Sequence, residues 1–147
     1  MTDLLSDTLV YVRHLIDDTD ESNYEYSDNR LSTLIFVSAS YVNTDIRASY
    51  TINLCNQTIS PEPSQDFINL VALKAACMLM RSSHTSYSRN DFRVSDGPTT
   101  VDLKGAADKI KVAADSLCEQ YERAKLDLNI GRTVNGYIIS TPNSESE

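Results

Sequence analysis

The chain has 147 residues, 41% of them apolar, with a net charge of -8 and a pI near 4.6. That length and apolar content support one domain, burying roughly two-thirds of the surface the unfolded chain exposes. The charge argues against a free-standing nucleic-acid binder, because phosphate affinity needs clustered Lys and Arg that release counterions, and the thirteen basic residues here are scattered.

The longest apolar stretch, around Phe67 to Met80, is interrupted by Asn69 and Lys74 and falls short of the ~18 apolar residues of a membrane span. Asp3 and Asp7 stand where a secretory signal would carry Lys or Arg, so a cytosolic chain is expected. In that setting the Asn56-Gln57-Thr58 sequon has no consequence. Cys55, Cys77 and Cys118 form no Cys-x-x-Cys pair, and their odd number and wide spacing are expected of reduced, buried thiols acting as small core hydrophobes.

In chain order, Leu5, Leu9, Val12 and Ile16 recur at steps of four, three and four, which predicts a helix from about Thr2 to Ile16. Asp17 to Asp28 is rich in residues that favour loops and caps, and Ser27 is placed to cap a second helix reaching about Tyr41, with Leu31, Leu34, Ile35 and Val42 as its stripe. Between Ser49 and Ile59 the rhythm changes: Tyr50, Ile52 and Leu54 alternate with Thr51 and Asn53, as in a half-buried strand or an extended connection. Pro61 and Pro63 break regular structure, and Pro63 or Ser64 can start a third helix. Between Phe67 and Met80 that helix is apolar or small on several sides, which predicts a central core helix.

Asp96-Gly97 between Phe92-Val94 and Val101-Leu103 is a hairpin signal. The last helix, about Ala106 to Leu128, carries Ile110, Ala114, Leu117, Tyr121, Ala124 and Leu128 at alternating steps of four and three. Asn129, Gly131 and Gly136 are expected to stop it, leaving a short apolar island, Val134, Tyr137, Ile138 and Ile139, before a polar end. The fold class expected is mainly α: a four-helix bundle-like domain over residues 1–130 with a short β-hairpin, then an extended C-terminal arm over residues 131–147. The island is expected to dock on a partner, the other reading being a folded-back edge strand.

The Asp17 to Ser22 run invites a calcium-loop reading, but counted from Asp18 the sixth position is Asn23 instead of Gly and the twelfth is Asn29 instead of Glu. A solvated acidic loop is expected. His14 and His84 have no local ligand partner, no nucleophile carries a surrounding signature, and four glycines give no phosphate-binding loop. No catalytic, cofactor-binding or metal-ligating residue is therefore assigned, and the chain is not expected to be an enzyme. Arg81, Arg89 and Arg93, with Tyr87 and Phe92 between them, mix basic and aromatic character that could meet DNA; the favoured expectation is a polar loop whose arginines bridge to acidic neighbours or to another subunit.

Several segments together carry a family resemblance: the Tyr26-Ser27-Asp28-Asn29-Arg30-Leu31 helix start, the Ser60-Pro61-Glu62-Pro63 break and the Leu73-Lys74-Ala75-Ala76 core helix. Phe92-Arg93-Val94-Ser95-Asp96-Gly97-Pro98 follows, leading through Val101-Asp102-Leu103-Lys104-Gly105 into a helix ending near Tyr121. Over residues 4 to about 128 this order resembles the head-to-tail connector (adaptor) proteins of tailed bacteriophages. The resemblance implies a non-enzymatic virion protein of the neck, assembled in the host cytoplasm. Such subunits form a homo-oligomeric ring, usually of about twelve copies, that joins the head portal protein to a downstream tail or neck protein. Double-stranded DNA passes transiently through the ring, and no membrane or cofactor is involved. The C-terminal segment, here Val134, Tyr137, Ile138 and Ile139, would reach the portal. Another neck component, such as a stopper or tail-completion protein, and a cytosolic helical binding or regulatory module are the alternatives.

Overall fold

A computed structural model describes residues 4–91 and 103–137. They form α1 (Leu4–Leu15), α2 (Asp28–Asp45), β1 (Thr51–Asn53), β2 (Thr58–Ser60), α3 (Gln65–Asp91) and α4 (Leu103–Tyr137). The fold is mainly helical, with one short antiparallel hairpin.

The helix stripes become the core. Val12 of α1 and Leu31, Ile35, Ala39 and Val42 of α2 are fully buried, and Leu5, Leu9 and Ile16 pack against them from the edge. α3 lies at the centre, as its all-round apolar surface predicts: Phe67, Ile68, Leu70, Val71, Ala72, Ala75, Ala76, Cys77 and Leu79 are all buried, and α1, α2 and α4 each pack on it. α4 runs antiparallel to α3 and presents Ala107, Ala114, Leu117, Cys118 and Tyr121 to the interior. Leu73 of α3 and Leu128 of α4 stay partly exposed.

The helix starts follow the caps. Ser27 accepts a hydrogen bond from the Arg30 amide, and the Ser64 hydroxyl accepts one from the Phe67 amide at 3.3 Å, each satisfying an amide left free in the first turn. α1 and α2 end alike. Asp17 (φ 59°) and Arg47 (φ 52°) are left-handed, and the next amides, Asp18 and Ala48, donate back to Arg13 and Asn43 at 2.9 Å. This is the Schellman closure, made here without the glycine that usually takes the left-handed position.

Four expectations are corrected. The alternating segment is a hairpin and not one strand: Asn53 Oδ1 accepts from the Cys55 and Asn56 amides and turns the chain back, so Leu54, expected to point inward, is 52% exposed. Ile52 and Ile59 pair across the strands and supply the inward face. The Asp96-Gly97 hairpin signal lies outside the described residues.

α2 continues to Asp45 because Val42 and Ile46 still have core to fill. α4 continues past Leu128 through Gly131 and Gly136 to Tyr137. A helical glycine costs only about 1 kcal/mol relative to Ala, and no proline stands there to break the helix. Residues 131–137, expected as extended arm, are therefore helical, and residues 138–147 lie outside the described residues.

Cys77 and Cys118 are buried as expected but joined in a disulfide, their Cα atoms 4.9 Å apart, because antiparallel packing brings α3 and α4 into register there. Cys55 is free and exposed near the hairpin turn.

Candidate interaction surfaces

Three arrangements stand out beyond the core. The first is buried and electrostatic. Arg13 and Asp18, whose side chains are 7% and 6% exposed, form an ion pair at 2.6 Å. The same guanidinium donates to the Tyr26 carbonyl at 3.1 Å, meets Asp28, and lies 3.5 Å from the centre of the Tyr24 ring. Asp18 accepts in addition from the Glu25 and Tyr26 amides, and Tyr26 reaches across to Ser83 of α3 at 2.8 Å. The acidic run expected to be a solvated loop is thus solvated only in part. Asp20 to Glu25 face water, Asp20 being held below the usual carboxylate range by the Ser22 hydroxyl and amide, while Asp18 anchors the α1–α2 connection to Arg13. All its partners are internal, so the cluster is an architectural brace.

The second centres on Tyr121. Its hydroxyl donates to Asp45 at 2.6 Å, Lys74 pairs with the same carboxylate at 3.7 Å, and Lys74 and Lys125 flank the ring at 4.6 and 5.4 Å. Burial, then the hydrogen bond to Asp45 and that group's negative charge, push the phenol pKa well above its ordinary value. The group stays protonated and works as a tie between α2, α3 and α4.

The third is an open groove over α3, where α1 and α4 leave the central helix uncovered. Its α1 side is about 300 Å³, lined by Tyr11, His14, Leu15, Asn69, Ala72 and Leu73. Its α4 side is about 320 Å³, and Leu70, Ala124, Leu128, Asp66 and Asp127 join Asn69 and Leu73 there. Apolar atoms dominate both stretches, and Tyr11, 43% exposed, stands at the rim of the α1 side. Asp66 and Asp127 make no hydrogen bond or ion pair among the described residues.

Of the residues singled out in the sequence, Arg81 and Arg89 are exposed on the second half of α3, near Tyr87, which is 38% exposed. Arg93 lies outside the described residues. Val134 and Tyr137 belong to the last two turns of α4, while Ile138 and Ile139 lie outside the described residues. The groove was missed by sequence reasoning. Its sequence trace is Tyr11, an apolar residue of α1 that falls off the core stripe.

Among the described residues no group of His, Cys, Asp or Glu is placed to hold a metal ion, and no helix is long and apolar enough to cross a membrane. No family model matches the chain, and neither the curated proteins nor the solved structures yielded a match.

Proposed function

We propose that the protein is a structural subunit of a tailed-bacteriophage neck: an adaptor that assembles as a ring beneath the head portal and continues the DNA channel toward the tail. The observation that carries this reading is where the polar and apolar surfaces lie. The buried charges are consumed in bracing the fold, whereas the large unfilled features, an open apolar groove and a long α3–α4 pair, lie on the outside and suit contact with other chains. The resemblance read from the sequence supplies the identity of those chains.

The acidic composition agrees with the role. A ring of about twelve copies at -8 each would repel DNA phosphates and let the genome slide without being trapped. The proposed portal contact is the C-terminal segment, Val134 and Tyr137 at the end of α4 with Ile138 and Ile139 just beyond it. Arg81, Arg89 and Arg93 are assigned to subunit contacts or the channel. Because the only sheet among the described residues is a hairpin of two three-residue strands, the helical adaptor is favoured over a strand-rich stopper or completion protein.

The test is to mix the purified chain with portal rings from tailed phages and image the product. Decoration of portals by the full chain, lost on deletion of residues 138–147 with the helical circular dichroism unchanged, is expected. Failure of the full chain to decorate any portal at high concentration would overturn the reading.

A further inference from the structure

The α4 helix outruns the helix it packs on. Cys77 and Cys118 face each other across antiparallel α3 and α4, and this register sets Gln65, the first residue of α3 and twelve before Cys77, opposite Ile130, twelve after Cys118. From there α4 continues to Tyr137, about 10 Å further at 1.5 Å per residue. Its sequence over this stretch is amphipathic. Leu126, Ile130, Val134 and Tyr137 recur at steps of four, four and three, which places them on one face of the helix, while every other residue from Asn129 to Gly136 is polar or glycine. Leu126, where this stripe begins, is 56% exposed, so the face is turned away from α3.

We infer that this stripe of one copy lies in the apolar groove between α1 and α4 of another copy, a helix laid into a groove through anchors spaced at i, i+4 and i+8. A chain cannot fill its own groove with these residues. Ala124 and Leu128, which line the groove, stand on another face of the same helix, and a straight helix does not turn one face back onto another. Ile138 and Ile139 reach no more than about 7 Å past Tyr137, whereas the lining from Leu128 to Ala124 lies about 14–20 Å back along the axis. Residues 140–147 have the length, but Pro142 is their one apolar residue, and Glu145 and Glu147 would meet Asp66 and Asp127. A second copy is free of these restraints. Charge permits the contact as well: from Leu128 to Ser144 the chain has no acidic residue and one cation, Arg132, so the segment brings no like charge to the carboxylates at the groove, as an acidic helix face would. Burial of the stripe on Leu70, Ala72 and Leu73 provides the affinity. Stripe and groove are different surfaces, so the contact can repeat from copy to copy and close a ring. The inference rests on the neck reading for its ring and divides the end of α4 within it: Leu126 and Ile130 serve the neighbour, Tyr137, Ile138 and Ile139 reach the portal, and Val134 stands where the two meet.

Cysteine pairing between copies tests the placement. On a Cys55→Ser background, which removes the exposed free thiol, a chain carrying Ile130→Cys is mixed with one carrying Asn69→Cys, the exposed residue shared by both stretches of the groove, and oxidised with glutathione disulfide. The two variants are expected to cross-link to each other at least tenfold more than Ile130→Cys does with Ser86→Cys, an exposed position toward the far end of α3. In sedimentation velocity at about 0.15 M salt, where repulsion between whole acidic copies is screened, the wild-type chain is expected to run as species larger than a monomer at high concentration. Leu126→Gln with Ile130→Gln, which changes no charge, should weaken self-association at least tenfold while the helical circular dichroism is kept. A wild-type chain that remains monomeric, a double variant that associates as the wild type does, or equal cross-linking at positions 69 and 86 would overturn the inference. The portal assay separates the two ideas. A monomeric chain that still decorates portals would remove this contact and keep the neck role, whereas a self-associating chain that ignores portals would do the reverse.

Discussion

Replacing Arg13 by Met keeps most of the stem volume but leaves the Asp18 carboxylate, 6% exposed, without its cation. An uncompensated buried charge of this kind costs about 3–5 kcal/mol. Loss of the contact with the Tyr24 ring adds about 0.5 kcal/mol, the lower end of the cation–π range, because that ring is 39% exposed. The Asp28 contact adds little, since its side chain is 71% exposed and water screens it. The sum, about 4 kcal/mol, is a large part of the roughly 7–22 kcal/mol typical of a chain of this length. With a urea m-value of about 2 kcal/mol per M, the unfolding midpoint of Arg13→Met should fall by about 2 M. Repeating the substitution in an Asp18→Asn background isolates the pair. Asn can still accept from the Glu25 amide through its one oxygen but carries no charge, so the loss there should shrink by at least ~2 kcal/mol. Equal losses in both backgrounds would refute the coupling, and an unchanged midpoint in Arg13→Met would refute the brace altogether.

Native, non-reduced protein should react with a thiol reagent at one cysteine per chain, Cys55, and reduction should lower the urea stability by about 4 kcal/mol, the loop-entropy value for cysteines 41 residues apart. Tyr121 and Tyr26 both have phenol pKa values raised above 10.0 in the fold, burial being the first cause of each, so the folded state holds these protons more tightly than the unfolded chain. Their contribution is complete below pH about 10 and lost as the pH rises above it; stability measured against pH should be level near 9 and fall beyond 10, less steeply in Tyr121→Phe. Arg47→Gly, which removes a Cβ from an exposed left-handed position at the end of α2, should raise the urea midpoint by the equivalent of about 0.5–1 kcal/mol, the left-handed penalty less the extra freedom glycine gives the unfolded chain.

What the sequence determined by itself was local. Periodicity located all four helices of the described residues, because a side chain's place on a helix face depends only on its own spacing, and α3 declared its central position through apolar residues on every side. Ser27 and Ser64 marked helix starts because a cap bonds an amide two or three residues away. Proline and polar clusters located the connections, and the two-residue rhythm near Ile52 announced strand even though the turn at Asn53 divided it. The helix ends were less legible, since α2 and α4 run on where packing, or merely the absence of a strong breaker, allows.

Tertiary structure alone decided which distant residues meet. Cys77 and Cys118 are joined because two antiparallel helices share a register that their spacing does not encode. Arg13 reads in the sequence as an ordinary basic residue at a helix end, and its burial against Asp18 and Tyr24 exists only because the α1–α2 connection folds back over it. The groove is a property of the gap between α1 and α4: its lining comes from three helices, and whether α3 is covered there depends on how its neighbours cross it. Periodicity assigns each helix an inward face, but the space left between faces is set by packing across the whole chain.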